Sequence, residues 1–424
     1  MSQTTKSWSV LRAFAASLAL LVASLLFGLA PALAADPIRI GFGMAQTGPL
    51  AANGKSALLA MELWAEDINA KGGLLGRPVK LVYYDDQSNP STVPGIYTKL
   101  LDVDKVDLVV GGYATNMLAP AMPIVMRHNM VFIGLYGLAV NSEFHYPKYF
   151  AVISSGPQPK LAFSKSFFEL AMKQNPKPAT VAIVAADAEF SKNAADGARE
   201  NAKAAGLKVV YDRSYPPSTT DFTPIVRAIQ ATNPDVVFVG SYPLDTIGMI
   251  TAAHEVGLKT KMFGGGMVGL QSTATKTRLG PMLNGIVNYD FWLPAKTMLY
   301  PGVEALLQKY QAKAVSAGVD PLGYYMAPAA YSYLEVLAQG VEGAKSLDQD
   351  KIAAYLHANT FKTVFGDLKF GPDGEWTESR VIEVQFQNIK GNDLDQFRDM
   401  SKQVIVSPDN LQTGKLVYPY TAAK

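Results

Sequence analysis

The chain has 424 residues, 38 basic against 36 acidic side chains, 49% hydrophobic residues and no cysteine. That length suits two or three compact units, and the balance of hydrophobic to charged residues excludes a disordered chain. A net charge of +2 without a local Lys/Arg run excludes a nucleic-acid footprint, and the missing cysteine excludes disulfides, thiolate zinc sites and a cysteine nucleophile.

Residues 1–34 read as a secretory signal. Lys6 and Arg12 precede an apolar run from Ala13 to Leu29, and Ala32-Leu33-Ala34 supplies the small-x-small pattern of a cleavage site. The run is almost long enough to span a bilayer, so a retained anchor is the rival reading. Removing Lys6 and Arg12 leaves 36 basic against 36 acidic residues. The expected product is a neutral, soluble, exported protein.

Short β-branched runs then alternate with helix-length amphipathic segments, the pattern of a parallel α/β architecture. Strands are predicted at Ile38–Phe42, Val79–Tyr84, Leu108–Val110 and Val131–Ile133. Ala57, Leu58, Met61, Trp64 and Ile68 recur at helical spacing, and Gly72-Gly73 ends that helix. After Asn175-Pro176-Lys177-Pro178 the pattern restarts at Val181–Val184. Val82 to Asp107 and Val210 to Asp235 are both 25 residues, and each interval leads into a strand ending in Gly and Tyr. Two similar α/β lobes follow from that repeat, with their ligand-bearing loops at the carboxyl ends of parallel strands.

Pro301 to Leu356 reads as helices, and Phe365–Phe370 with Arg380–Phe386 as a strand pair around Gly371-Pro372-Asp373-Gly374. The sequence after Gly391 is a C-terminal extension of mixed character.

No constellation for catalysis emerges. Gly54-Lys55-Ser56 follows a strand, but five residues separate it from Gly48 and Pro49 removes an amide, so it fits a loop–helix junction able to hold a small anion better than a nucleotide loop. His128, His145, His254 and His357 lack metal-ligand spacing. Asp85 and Asp86 suit the organisation of a turn at Asn89-Pro90. Gly264-Gly265-Gly266 marks either close backbone approach to a ligand or a bend. Phe42, Tyr113, Tyr136, Phe190 and Tyr242 all fall at predicted strand ends, where aromatic rings serve either as core or as the walls of a cleft.

Ile40-Gly41, Thr47-Gly48-Pro49, the stretch from Asp67-Ile68-Asn69 through Gly76-Arg77-Pro78-Val79, and Tyr84-Asp85-Asp86 resemble the Leu/Ile/Val-binding family, the type I periplasmic solute-binding proteins of ABC transporters. The resemblance runs from about residue 37 to about residue 387. It implies two Rossmann-like lobes joined by a three-crossover hinge, spanning residues 36–155 and 297–361 for one lobe and 156–296 and 362–390 for the other, with an extension at 391–424. It implies a periplasmic monomer without cofactor that closes on a small solute and presents it to permease subunits, whose separate ATPases drive transport. The family's carboxylate-binding loop falls on Thr115 and Asn116, beside Tyr113. The next loop falls on Leu138-Ala139-Val140, where Val140 keeps an amide but loses the usual hydroxyl; the strand-end aromatic Tyr136 lies just before it, and Thr47 lies in the first loop. The second lobe offers Phe190 and Tyr242, and the glutamate that pairs with a ligand ammonium falls on Gly266. The expected ligand therefore carries a carboxylate or amide and an apolar or aromatic body, with Asp187, Glu189 and Asp245 as possible replacements for that glutamate. The alternatives are an ordinary branched-chain amino-acid binder with a rearranged ammonium site, and a sensing domain tethered by an uncleaved anchor.

Overall fold

The computed structural model describes residues 36–423, so residues 1–34, expected as a secretory signal, lie outside the described residues. The strands are β1 (Ile38–Met44), β2 (Val79–Asp85), β3 (Leu108–Tyr113), β4 (Phe132–Leu135), β5 (Tyr149–Val152), β6 (Thr180–Ala186), β7 (Lys208–Tyr215), β8 (Val236–Ser241), β9 (Met262–Met267), β10 (Val287–Asp290), β11 (Thr360–Thr363), β12 (Gly366–Lys369), β13 (Ile382–Phe386) and β14 (Gln403–Ser407). Among the described residues they form a five-stranded sheet in the order β2-β1-β3-β4-β5 and a seven-stranded sheet in the order β14-β13-β10-β9-β8-β6-β7. The first is parallel throughout. In the second, β7-β6-β8-β9-β10 repeats that order in parallel, and β13 and β14 add antiparallel strands. Central strands such as β3 and β8 are buried along their whole length, as parallel strands covered on both faces must be, whereas edge strand β7 is largely exposed or half-buried.

The repeat has a physical cause. Asp107, just before β3, accepts the Arg39 amide of β1 at 2.8 Å, and Asp235, just before β8, accepts the Ala179 amide just before β6 at 2.6 Å. In both lobes a carboxylate satisfies an amide at the beginning of the neighbouring strand.

The Asp67–Val79 motif also has a local explanation. Helix Ala51–Ala70 ends there, and Asn69 exchanges two hydrogen bonds with Val79, donating to its carbonyl at 2.9 Å and accepting its amide at 2.7 Å. Gly73, at φ 80°, passes so close to the Arg77 carbonyl that a Cβ would sit 1.8 Å from its oxygen. Helices Val303–Ala317 and Met326–Ala344 pack on helix Ala51–Ala70, with Asp67 accepting from both Lys309 and Tyr331.

Several expectations need correction. β5 went unpredicted. Gly54-Lys55-Ser56 lies inside the first helix rather than at a junction, and the Gly54 amide bonds the Leu50 carbonyl. The expected strand pair around Gly371–Gly374 reduces to a bridge between Phe370 and Trp376, since β12 pairs with β11 while β13 pairs with β10 and β14. Residues around 370–376, expected with the second lobe, bond the first sheet: the Ala151 amide donates to Gly374 and the Trp376 indole donates to the Ala151 carbonyl. Gly264 and Gly265 do not form a bend, and the close approach they allow is to protein. They lie within β9 at φ 143° and 106°, where Val287 and Phe238 fill the space a Cβ would need.

Candidate functional site

The carboxyl ends of the two sheets meet at an inner pocket of about 10 Å³. The first sheet supplies Tyr113 at the end of β3, Ala114 and Thr115 after it, Tyr136 after β4 and Ile153 after β5. Phe190 follows β6, Tyr242 follows β8, Val268 follows β9, and Tyr289 and Phe291 flank the end of β10. Tyr325, just before helix Met326–Ala344, closes the ring. Seven of the eleven lining residues are aromatic and none is acidic.

The first-lobe wall is braced by its own hydrogen bonds. The Tyr113 hydroxyl accepts from Asn53 Nδ2 at 2.8 Å, and Thr115 Oγ1 accepts from the Leu138 amide at 3.0 Å. That leaves the Thr115 hydroxyl proton available for donation. Tyr136 donates to the Tyr325 carbonyl at 3.0 Å and stacks on the Tyr325 ring at 4.7 Å and the Phe291 ring at 5.2 Å. Ala114, Tyr136 and Ala139 all hold positive φ, at 83°, 55° and 59°. These three residues, on the loops that follow β3 and β4, mark a loop pair held in strained backbone by its surroundings.

Part of the second-lobe wall, at Phe190 and Tyr242, is looser. Phe190 packs edge-on against Tyr242 at 5.9 Å and Phe163 at 5.5 Å, and its amide donates to the Tyr242 hydroxyl at 3.3 Å. Tyr242 is only half-buried. The lobes are tied directly by Asn193, whose Nδ2 donates to the Leu138 carbonyl at 3.0 Å.

Outside Tyr242 a second space of about 970 Å³ opens between the lobes and along the second one. Pro49, Leu50 and Asn116 line it from the first lobe, and Glu189, Phe222 and Asp245 from the second. Tyr242 faces both spaces.

Behind the inner wall, the carboxyl of Asp290 accepts the Phe291 amide at 2.8 Å and a contact from Gln403 Nε2 at 3.5 Å, while Gln403 Oε1 accepts from the buried Lys276 ammonium at 3.2 Å. Burial pushes Asp290 up to about 7, against the opposing pull of the Phe291 amide and Lys276, and lowers Lys276. The C-terminal extension thus braces the strand end that carries Tyr289 and Phe291.

Of the residues expected at the site, Tyr113, Thr115, Tyr136, Phe190 and Tyr242 line the inner pocket, and Asn116 lines the outer space. Thr47 lies outside both, its hydroxyl donating to Asp85 at 2.7 Å. Val140 is buried beside Gly137 rather than in the pocket. Gly266 sits in β9 against Phe163 and Phe238, so the position nearest the pocket after that strand is Val268. Phe42 is core, stacked on Tyr83 at 5.4 Å. Asp187 pairs with Lys192 at 2.6 Å, and Glu189 and Asp245 face the outer space. Tyr289, Phe291, Tyr325 and Asn193 were not anticipated.

Asp85 and Asp86 are indeed turn organisers. Burial raises Asp85, but hydrogen bonds from Gln46, Thr47 and Gln87 outweigh it and leave it low. Burial dominates at Asp86 and pushes it up to about 6, with one carboxylate oxygen lacking a partner among the described residues.

A family profile described as a periplasmic binding protein matches residues 37–388. The Leucine-, isoleucine-, valine-, threonine-, and alanine-binding protein of Pseudomonas aeruginosa is 26% identical over 348 residues, covering 81% of this chain and 88% of that protein. Among solved structures, the branched-chain amino acid transporter substrate binding protein LivJ of Streptococcus pneumoniae, in complex with isoleucine, aligns with a TM-score of 0.70 at 19% identity over 91% of this chain and 100% of that one. An R. palustris ABC-transporter solute binding protein in complex with benzoate aligns with a TM-score of 0.72 at 16% identity over 89% of this chain and 98% of that one. These are names of binding proteins rather than enzymes, and the two structural likenesses bear on the fold. With the family profile spanning most of the chain and the paired 2-1-3-4-5 sheets meeting at one pocket, the chain belongs to the type I periplasmic binding proteins of the Leu/Ile/Val-binding family.

Proposed function

We propose that the chain is the solute-capturing component of an ABC importer, delivering a small acid with an aromatic body to its permease. One observation carries the reading: the inner pocket is walled by aromatic side chains, offers the Thr115 hydroxyl, and has no carboxylate among its lining residues. A buried ammonium without a carboxylate partner costs several kcal/mol, so this wall suits a ligand without an α-ammonium. The acid head group is held at Thr115 and the ring between Tyr136, Phe190 and Tyr242. A benzene-sized guest needs on the order of 150 Å³, far above the 10 Å³ enclosed here, so the walls part to admit it. Ligand then favours closure by touching both lobes at once. The closed form is what the permease reads, and residues 1–34, as a cleaved secretory signal, deliver the chain to the periplasm.

Calorimetry with benzoate, hydroxybenzoates, leucine and isoleucine tests this. Stoichiometric binding of an aromatic acid is expected; tight leucine binding with no response to the aromatic acids would overturn it. The branched-chain amino-acid reading is favoured by the likeness to the Pseudomonas aeruginosa relative, and it requires an ammonium site outside the inner pocket lining.

A further inference from the structure

The space outside Tyr242 is far larger than the inner pocket, about 970 Å³ against 10 Å³, and Tyr242 lines both. Its surface has two parts. Leu50, Phe222 and Leu244 are apolar lining residues, with Leu244 65% exposed. Among its lining residues are four acids, Glu189, Asp221, Asp245 and Glu255, and one base, Arg278, with Lys160 and Lys192 also acting on Glu189. From the facing lobe Asn116 brings a buried side-chain oxygen that has no hydrogen-bond partner among the described residues.

Asp245 gives the groove its sign. It is 8% exposed, stands in the first turn of helix Pro243–Val256, and accepts the Tyr215 hydroxyl at 2.5 Å. A helix start ordinarily attracts an anion, but here the chain's own carboxylate already fills that role, and a further anion would meet it and Glu189. What the groove can still receive is a donor or a positive charge, in a space that Tyr242 shares with the inner pocket.

We propose that the groove holds an amine-bearing tail of the same ligand whose acid head occupies the inner pocket. The ligand is then an aryl acid with an alkylammonium arm: the ring lies inside Tyr242, the methylene spacer runs over Leu50, Phe222 and Leu244, and the ammonium ends among Asp245, Glu189 and the Asn116 oxygen. This deepens the reading of the inner pocket as an aromatic-acid site and rests on it. It also separates the two ends of charge on the ligand, where an amino acid carries both on one carbon.

The test is calorimetric, at pH 7.5 or above so that Asp245, which burial pushes up to about 6, is ionised. The probes are benzoate, para-aminomethyl, para-aminoethyl and para-aminobutyl benzoates, and their alkyl isosteres without the amine. At least one amine is expected to bind about tenfold or more tightly than its isostere, the scale of a hydrogen bond to a charged group. In Asp245→Asn, which keeps an acceptor for Tyr215, and in Glu189→Gln, that ratio should shrink towards one while thermal unfolding shows a folded protein. Benzoate binding with equal affinities for amines and isosteres overturns the groove alone. Silence from benzoate and every tailed acid overturns the inner-pocket reading and this one with it. Leaving the ratio intact in both variants also overturns it.

Discussion

The two walls of the inner pocket are built by the same repeated architecture and yet differ in kind. On the first-lobe side Tyr113, Thr115 and Tyr136 are each held by a hydrogen bond from elsewhere in the chain, on backbone that only its surroundings sustain at Ala114, Tyr136 and Ala139. On the second-lobe side Tyr289 and Phe291 sit on the braced end of β10, but Phe190 and the half-buried Tyr242 are held mainly by ring contacts and one long hydrogen bond. The difference assigns the work: a preformed receptor surface on one side and a closing surface on the other. Preorganisation lowers the entropy lost on binding, so one rigid wall is an advantage, while two would hinder entry.

The strongest test attacks the rigid wall. Tyr136→Ala removes two ring stacks and a buried hydrogen bond and should cost about 3–5 kcal/mol of stability in urea unfolding. A cost within 1 kcal/mol would mean that this wall is no more rigid than the other. Tyr242→Ala should do the reverse, weakening aromatic-acid binding by about tenfold or more while lowering stability by only about 1 kcal/mol. Calorimetry and unfolding on the same preparation check both halves.

A pH experiment sharpens the first-lobe side. Asp86 has its folded pKa raised from 3.8 to about 6, so the folded state holds its proton more tightly than the unfolded chain does. Its contribution is fully present below about 4 and is lost as pH rises through about 6. Asp86→Asn keeps the acceptor for the Ser88 amide and removes that loss. The Tm of the variant minus that of the wild type should therefore grow between about pH 4 and 6, by a few degrees, and level off above. A flat difference would leave Asp86 outside the account. The smallest effect is expected from Asn193→Ala, which removes the hydrogen bond from the second lobe to the Leu138 carbonyl. About 1 kcal/mol less preference for closure should appear as a larger radius of gyration in small-angle scattering of the liganded protein.

Much of the fold was legible because buried parallel strands are short β-branched runs and because the chain repeats itself. β5 escaped because Tyr149-Phe150-Ala151-Val152 is short, has one β-branched residue and follows a proline. The strand pairing near the end failed for a different reason. β13 finds its partners in β10 and in β14, one almost a hundred residues earlier and the other beyond the part of the chain where any pattern was read. Aromatic residues at strand ends located four pocket residues by rule, Tyr113, Tyr136, Phe190 and Tyr242, while the fifth, Phe42, is core. Tyr325 had no such signal, because it reaches the pocket from the head of a helix. Tyr289 and Phe291 lie in an aromatic run, Tyr289-Asp290-Phe291-Trp292, that could have been noticed. Carrying the family's glutamate onto Gly266 failed because a strand of glycines offers no side chain to mark its register, and the chain turns towards the pocket two residues later.

β14 has a consequence for how the protein is made. It is the outer strand of the second sheet, and Tyr420 packs against Phe263 deeper in the same lobe. The first lobe, too, is unfinished until helix Met326–Ala344 has packed on helix Ala51–Ala70. Neither half of the molecule is a continuous length of chain. A polypeptide arriving amino end first therefore cannot complete the first lobe until residue 344, or the second until Tyr420, has arrived, so both lobes are finished late.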